Sequence, residues 1–340
     1  MDGADWLPGI GYLVESLPRS RSFDLPAAAA MTARSIAPNF IVVIRTAGER
    51  TFETCKSLVL KQVPASCLHI VNERPFEAAL RRCYQIGIES NADWMVTLDA
   101  DVLLSKGAIQ GLLSEATTMP SNHFQIEGRV FDKLTHRVRW AGYRCYRIQY
   151  LKEAVTCLPE HREQIRPEFT TLERMRAQGY PYLRSQAIYG IHDFEQSYAD
   201  IYRKAFVHAE KHQVWLFEML KHWKSQASSD PDFLVALRGA ADSLTALQAP
   251  RIDQRDFQAG AERMLKDLGL EEKPNLSMFS IQTIESILAS AQRATHSQLT
   301  SRWQRLADRY TRLGPWRFAP HLLGSALCDV GNAIKRFAER

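Results

Sequence analysis

The sequence predicts an α/β protein: a doubly wound, mostly parallel sheet with helices on both faces, followed by a mainly α-helical C-terminal region. Three observations predict it. Between Phe40 and Leu104 apolar β-branched runs alternate with amphipathic stretches in the order strand, helix, strand, helix, strand. From Gln196 onward the periodic stretches repeat at helical spacing. A composition of 45% hydrophobic and 24% charged residues over 340 positions is that of an ordinary globular chain, long enough for a large α/β domain with an appendage. The expected organisation is an N-terminal arm over residues 1–38, the α/β domain over 39–200 and the helical region over 201–340.

Residues 1–38 carry Pro8, Pro18, Pro26 and Pro38 without a sustained period, which predicts a lead-in with at most a short helix at Pro26–Arg34. Phe40–Ile44 reads as a strand covered on both faces. Thr51–Val63 repeats apolar residues at helical spacing and stops at Pro64. Cys67–Val71 reads as a second buried strand, Phe76–Ser90 as an amphipathic helix, and Trp94–Leu104 as an apolar run through Asp99 and Asp101. A helix over Lys106–Ala116 precedes two alternating, aromatic- and arginine-rich segments, Phe124–Phe131 and Arg137–Ile148, expected as antiparallel strands. A helix ending at Gly179 and an extended segment, Tyr180–Ile191, lead to the polar cluster His192, Asp193, Phe194, Glu195 and Gln196. Helices are expected over Gln196–Lys224, Pro231–Leu247, Asp253–Leu268 and Ser280–Arg293, with two more to the end.

The formal net charge of +5 lies wholly in residues 301–340, where eight Lys or Arg face three acids. The remainder sums to zero, which excludes the broad basic footprint of a duplex nucleic-acid binder. Six scattered cysteines without a Cys-x-x-Cys pair fit a reduced, cytoplasmic compartment. No run approaches the ~18 apolar residues of a membrane span. Two C-terminal stripes, Leu299, Trp303, Leu306, Tyr310 and Leu313, then Leu323, Leu327, Val330, Ile334 and Phe337, sit among Arg and Lys. They are candidates for packing on the protein itself or for peripheral contact with the inner face of an anionic membrane.

Chemistry concentrates at Asp99-Ala-Asp101. Along one strand both carboxylates would leave on the same side, Ala100 turning away. Two adjacent carboxylates repel unless a cation joins them, and Mg²⁺ or Mn²⁺ suits such oxygen ligands. The right-handed crossover rule stacks Arg45-Thr46, Asn72-Glu73-Arg74 and the Asp pair along one carboxyl edge, where open α/β sheets bind nucleotide-type ligands.

On Ile41-Val-Val-Ile-Arg-Thr46, Gln85-Ile-Gly-Ile88, Ala92-Asp-Trp94 and Leu98-Asp-Ala-Asp-Val102, residues 39–200 resemble a GT-A fold glycosyltransferase, most similar to the family 2 type. The resemblance implies a sugar transferred from a nucleoside diphosphate sugar to a glycan or lipid-linked acceptor, with Mn²⁺ or Mg²⁺ and inversion at the anomeric carbon. It implies Asp101 as direct metal ligand and Asp99 on the ribose or a metal-bound water. Arg45 and Thr46 would lie beside the nucleoside, Asn72 and Glu73 near the base, and Gln85 where the family has an Asn. Asp193 falls in the window of the catalytic base, with Glu195 in reserve, and His192 is a candidate third metal ligand, an alternative being a helix cap. Neighbours on an extended backbone point apart, so His192 and Asp193 are expected to serve different groups.

Other features weigh less. His208 and His212 lie four apart on one helical face, expected to be solvated. Arg144, Arg147, Arg162 and Arg166 are candidate phosphate contacts, and Trp140 and Tyr143 a candidate sugar platform. The rival readings are a haloacid dehalogenase-like phosphatase, whose first motif Leu98–Leu103 also fits, and a non-catalytic protein that keeps the fold for binding.

Overall fold

The computed structural model describes residues 39–291 except 162, 165, 212, 247–253, 275, 277 and 278. The expected 1–38 arm, Arg162, His212 and both C-terminal stripes lie outside the described residues.

The chain opens with β1 (Phe40–Arg45), α1 (Phe52–Leu60), β2 (Leu68–Val71), α2 (Phe76–Glu89) and β3 (Trp94–Asp99). β1 lies between β2 and β3, parallel to both, as the alternating pattern predicts. Period two sorts their side chains to the two faces. Val42, Ile44, Val96 and Leu98 join α1 and α3 (Ala108–Thr117) in one apolar layer; Ile41, Val43 and Met95 join α2, α4 (Leu151–Thr156) and α5 (Pro167–Ala177) in the other. Each fully buried aliphatic contributes about 1.5–3 kcal/mol. β2 departs from expectation: it is the outer strand, with Ile70 40% exposed, because nothing pairs beyond it among the described residues.

The apolar run of residues 94–104 is two strands, not one. β3 ends at Asp99, and Val102–Leu104 forms β4, which pairs antiparallel with β7 (Tyr182–His192). The strand order is β2-β1-β3-β6-β5-β7-β4, with β5 (Gln125–Asp132) and β6 (Arg137–Arg147) the expected hairpin. The α/β class stands, and the sheet is mixed: β3–β6, β5–β6 and β4–β7 run antiparallel, β1–β2, β1–β3 and β5–β7 parallel.

This order forces the sheet to curl. Four steps of about 4.8 Å separate β3 from β4, roughly 19 Å across a flat sheet, whereas the chain passes from Asp99 to Val102 over about 11 Å at most. The bend falls on β5 and β6, where the register shifts between Glu127 and Arg129 and Gly142 adopts φ 61°.

Beyond β7 the chain is helical: α6 (Tyr198–Lys211), α7 (Gln213–Gln226), α8 (Pro231–Thr245) and α9 (Gln258–Leu268). The helix expected over Gln196–Lys224 is described on either side of residue 212, which lies outside the described residues. These helices share a core that takes in Leu134 from the β5–β6 turn, whose carbonyl accepts a 2.5 Å bond from the Trp223 indole. Residues 281–291 are also helical, and Ile284, Leu288 and Ala291 return to the α1/α3 layer.

A Cβ at Gly190 in β7 would stand 2.4 Å from the Leu103 carbonyl oxygen of β4. Gly190→Ala is therefore expected to loosen the β4–β7 pairing and cost about 2 kcal/mol, within the usual range for overpacking. Urea unfolding reads it; a variant as stable as the wild type refutes the close approach.

Candidate active site

The two carboxylates of the Asp-x-Asp part company. Asp99, at the end of β3, accepts from Arg45 Nε at 2.8 Å on its Oδ1, which is also ion-paired with Nη2 at 2.8 Å. Its neighbour across the crossing, Asp101, accepts from the Lys204 ammonium of α6 on Oδ2 at 2.5 Å. The expected common side is lost because the chain leaves the central strand at Ala100, whose N–H still bonds the Arg45 carbonyl and whose own carbonyl accepts from Thr51.

Asp101 meets His192 and Asp193 through sheet register. In β7, His192 pairs with Val102 of β4 on one side and with Asp132 of β5 on the other. Its Nδ1 lies 2.8 Å from Asp132 Oδ2, and its Nε2 3.5 Å from Asp101 Oδ1. Asp193 does not point away, as alternation predicts: its φ of 62° is left-handed and turns the carboxylate back, Oδ2 3.2 Å from His192 Nδ1. Its Oδ1 accepts from Lys204. Asp101, His192 and Asp193 form the one group of described residues whose ligand atoms cluster as a metal would need.

The electrostatics follow from burial and pairing. Burial pushes the Asp99 carboxyl up to about 6, with Arg45 opposing and Asp101 adding to the shift. Burial would raise Asp101 too, but Lys204 and His192 hold it well below the ordinary range. Burial alone would lower His192; Asp193, Asp101 and Asp132 raise it instead to about 9. Without a cation at Nε2 the ring is thus an imidazolium. Asp101 Oδ1 and Asp193 Oδ2 are buried and accept no hydrogen bond from any described residue. Such atoms are costly in a protein interior unless a cation or proton donor meets them. With an imidazole whose other nitrogen is tied to a carboxylate, they form a donor set that fits a divalent ion.

The remaining expected residues scatter. Thr46 turns to Glu49, which its hydroxyl reaches at 2.8 Å. Asn72 and Glu73 are exposed at the end of β2, Glu73 4.0 Å from Arg82. Gln85 is exposed on α2, nine residues and about 13 Å of helix rise from Phe76 at the sheet edge. Glu195, also at left-handed φ, is 37% exposed and 3.8 Å from Arg50. Arg147 stacks over Trp94 at 4.5 Å, Tyr143 is fully buried with its hydroxyl on the Ala108 carbonyl, and Trp140 lies beneath Arg129 and Arg184. His208 is 9% exposed, not solvated, because α6 packs its face into the helical core and toward Asp132.

Lys204, Asp132 and Glu168 were not anticipated. Lys204 carried a faint signal: it shares a helical face with the buried Ile201 and His208, three before and four after it. Glu168 opens α5 and joins Arg45 at 2.9 Å, Tyr146 at 2.8 Å and Arg144. Arg144 continues to Glu127, which also accepts from Arg184 at 2.9 Å. The expected phosphate contact Arg144 is therefore committed to a buried charge ladder.

Burial would raise the Glu168 carboxyl, but Arg144 and Arg45 hold it down to about 2. A carboxyl held below its ordinary 4.5 adds stability that is complete above that value and lost as pH falls toward 2. Glu168→Gln is expected to cost about 3 kcal/mol at pH 7, because two buried guanidiniums lose their partner. The gap to the wild type should narrow near pH 3; urea unfolding that gives an equal gap at both pH values sinks the assignment.

No family model matches the chain, and no curated protein sequence matches it. Solved structures with a similar fold include a mannosyltransferase from Pyrobaculum calidifontis in complex with GDP-Man and Mn²⁺, 12% identical over 67% of this chain and 81% of that one, TM-score 0.35. Another is glucosyl-3-phosphoglycerate synthase from Mycobacterium tuberculosis in complex with Mn²⁺, UDP and glucosyl-3-phosphoglycerate, 13% identical over 46% and 73%, TM-score 0.32. A third is a cytidylyltransferase from Leptospira borgpetersenii, 11% identical over 56% and 96%, TM-score 0.34. Sugar transfer and nucleotide transfer are both represented, at levels of likeness that concern the fold and carry no argument about activity.

Proposed function

We propose that the chain transfers a sugar from a nucleoside diphosphate sugar to a hydroxyl of a glycan or lipid-linked acceptor, using a divalent cation held by Asp101, His192 and Asp193. The observation that carries this reading is the pair of buried carboxylate oxygens that accept no hydrogen bond, Asp101 Oδ1 and Asp193 Oδ2, 3.5 and 3.2 Å from the nitrogens of an imidazole anchored by Asp132. A bound Mn²⁺ or Mg²⁺ would supply Lewis-acid stabilisation of the departing diphosphate.

The chain's own groups divide the remaining work. Arg45 fixes Asp99 at the carboxyl edge of β3, and in this reading its part-buried carboxylate would bond a ribose hydroxyl. Asp132 orients the His192 ring so that Nε2 faces Asp101. The base moves from Asp193 to Glu195 in this reading. Asp193 is 1% exposed and spent on Lys204 and the cation, whereas Glu195, two residues on, is accessible to an acceptor hydroxyl. A base on the acceptor side corresponds to inverting transfer. The phosphatase reading fits less well, since a nucleophilic Asp99 would have Oδ1 taken by the Arg45 Nε hydrogen bond and ion-paired with Nη2.

UDP or GDP should raise the thermal unfolding temperature with Mn²⁺ present and fail to do so without it, and Asp101→Ala should abolish the rise. Equal protection without metal defeats the cation role. Glu195→Gln is expected to keep metal-dependent nucleotide binding and to lose about 10²–10⁴ in turnover of a nucleotide-sugar panel. Asp193→Asn should instead weaken the metal-dependent binding itself. The reverse pattern returns the base to Asp193.

A further inference from the structure

Lys204 takes one oxygen from each carboxylate of the candidate metal set, Asp101 Oδ2 and Asp193 Oδ1, and leaves the other two facing His192. The Lys204 side chain is 13% exposed, so water does little to screen its charge. The Lys204 ammonium and the His192 ring together thus balance the two buried carboxylates before any divalent ion arrives. A fixed positive charge a few ångströms from an incoming cation opposes it several-fold more strongly inside a protein than in water. Lysine is suited to yield, being a point charge on a flexible four-carbon stem. Diphosphate oxygens of a bound nucleotide would offer that charge an alternative partner.

We propose that Lys204 is a resident counter-cation that suppresses binding of the divalent ion alone and transfers its ammonium from Asp101 and Asp193 to the diphosphate when ion and nucleotide bind together. This rests on reading Asp101, His192 and Asp193 as metal ligands. Lys204 then serves both as a positioning residue for the carboxylates and as a donor contact, and it couples the two ligands. By linkage, each ligand tightens the other by the same factor.

Mn²⁺ titrations of the full chain, followed by the electron paramagnetic resonance of free Mn²⁺ with and without UDP or GDP, test this. The wild type should bind Mn²⁺ weakly alone and at least about tenfold more tightly with the nucleotide. Lys204→Met should bind Mn²⁺ alone about tenfold more tightly than the wild type and show a smaller nucleotide effect, a gain that a merely structural role would not produce. Lys204→Arg, which keeps the charge, should bind the ion alone as weakly as the wild type. Lys204→Met binding Mn²⁺ no more tightly than the wild type overturns the proposal and leaves the metal site standing. If that variant does not fold, the wild type decides, since Mn²⁺ binding equally tight with and without nucleotide overturns it. Absence of Mn²⁺ binding by the wild type under both conditions removes the metal reading and the role of Lys204 with it.

Discussion

The passage from Asp99 to Val102 is the constraint on which the rest depends. Two residues, Ala100 and Asp101, carry the chain from the centre of the sheet to its far edge. A flat sheet cannot be closed by so short a link, so β5 and β6 must bend, and they bend where Gly128 and Gly142 leave room. A Cβ at Gly128 would stand 2.4 Å from the Tyr143 ring, and one at Gly142 3.0 Å from Asp99 Oδ2. The same curl carries β7, with His192 at its end, to Asp101. Fold closure and site assembly are one event in this topology.

That passage also decides how the charges are neutralised. Four buried or part-buried acids, Asp99, Asp101, Asp132 and Asp193, would destabilise any common pocket. Each is given a cation: Arg45 for Asp99, Lys204 for Asp101 and Asp193, and Arg139 at 3.3 Å for Asp132, with His192 between them. Arg45 is shared in turn with Glu168, and the alternation runs on through Arg144, Glu127 and Arg184 across β6, β5 and β7. Removal of a single member exposes both neighbours, so the ladder ties the position of Asp99 to the outer strands and to α5.

What was legible in the sequence was what is local. The β-branched run at Phe40, the amphipathic face of α2 and the β5–β6 pair all announce themselves through period, and the Asp-x-Asp stands out as a candidate site by its adjacent carboxylates. The break between β3 and β4 did not, because an apolar run interrupted by two aspartates has the period of a single strand. Alternation puts Asp193 on the wrong side, because it assumes extended backbone and the Asp193 φ is left-handed. Lys204, Asp132 and Glu168 reach their partners from 103, 60 and 123 residues away, and no spacing rule operates over such separations.

The helical region is part of this arrangement. Lys133, on the β5–β6 turn, bonds Asp230 at 2.8 Å and Asp232 at 2.6 Å at the start of α8, and Lys273 reaches Asp232 at 2.5 Å. Arg50, from the loop after β1, bonds the Pro274 carbonyl and approaches Glu195. Lys133 follows directly on Asp132, the residue that holds His192, so one two-residue stretch anchors both the imidazole and the helical core. α6 shares its core with Leu134 of the same turn, and Lys204 reaches Asp101 and Asp193 from it. A helical appendage held by a flexible linker could not deliver an ammonium to two buried carboxylates. Residues beyond 200 therefore supply one of the charges that meet Asp101 and Asp193.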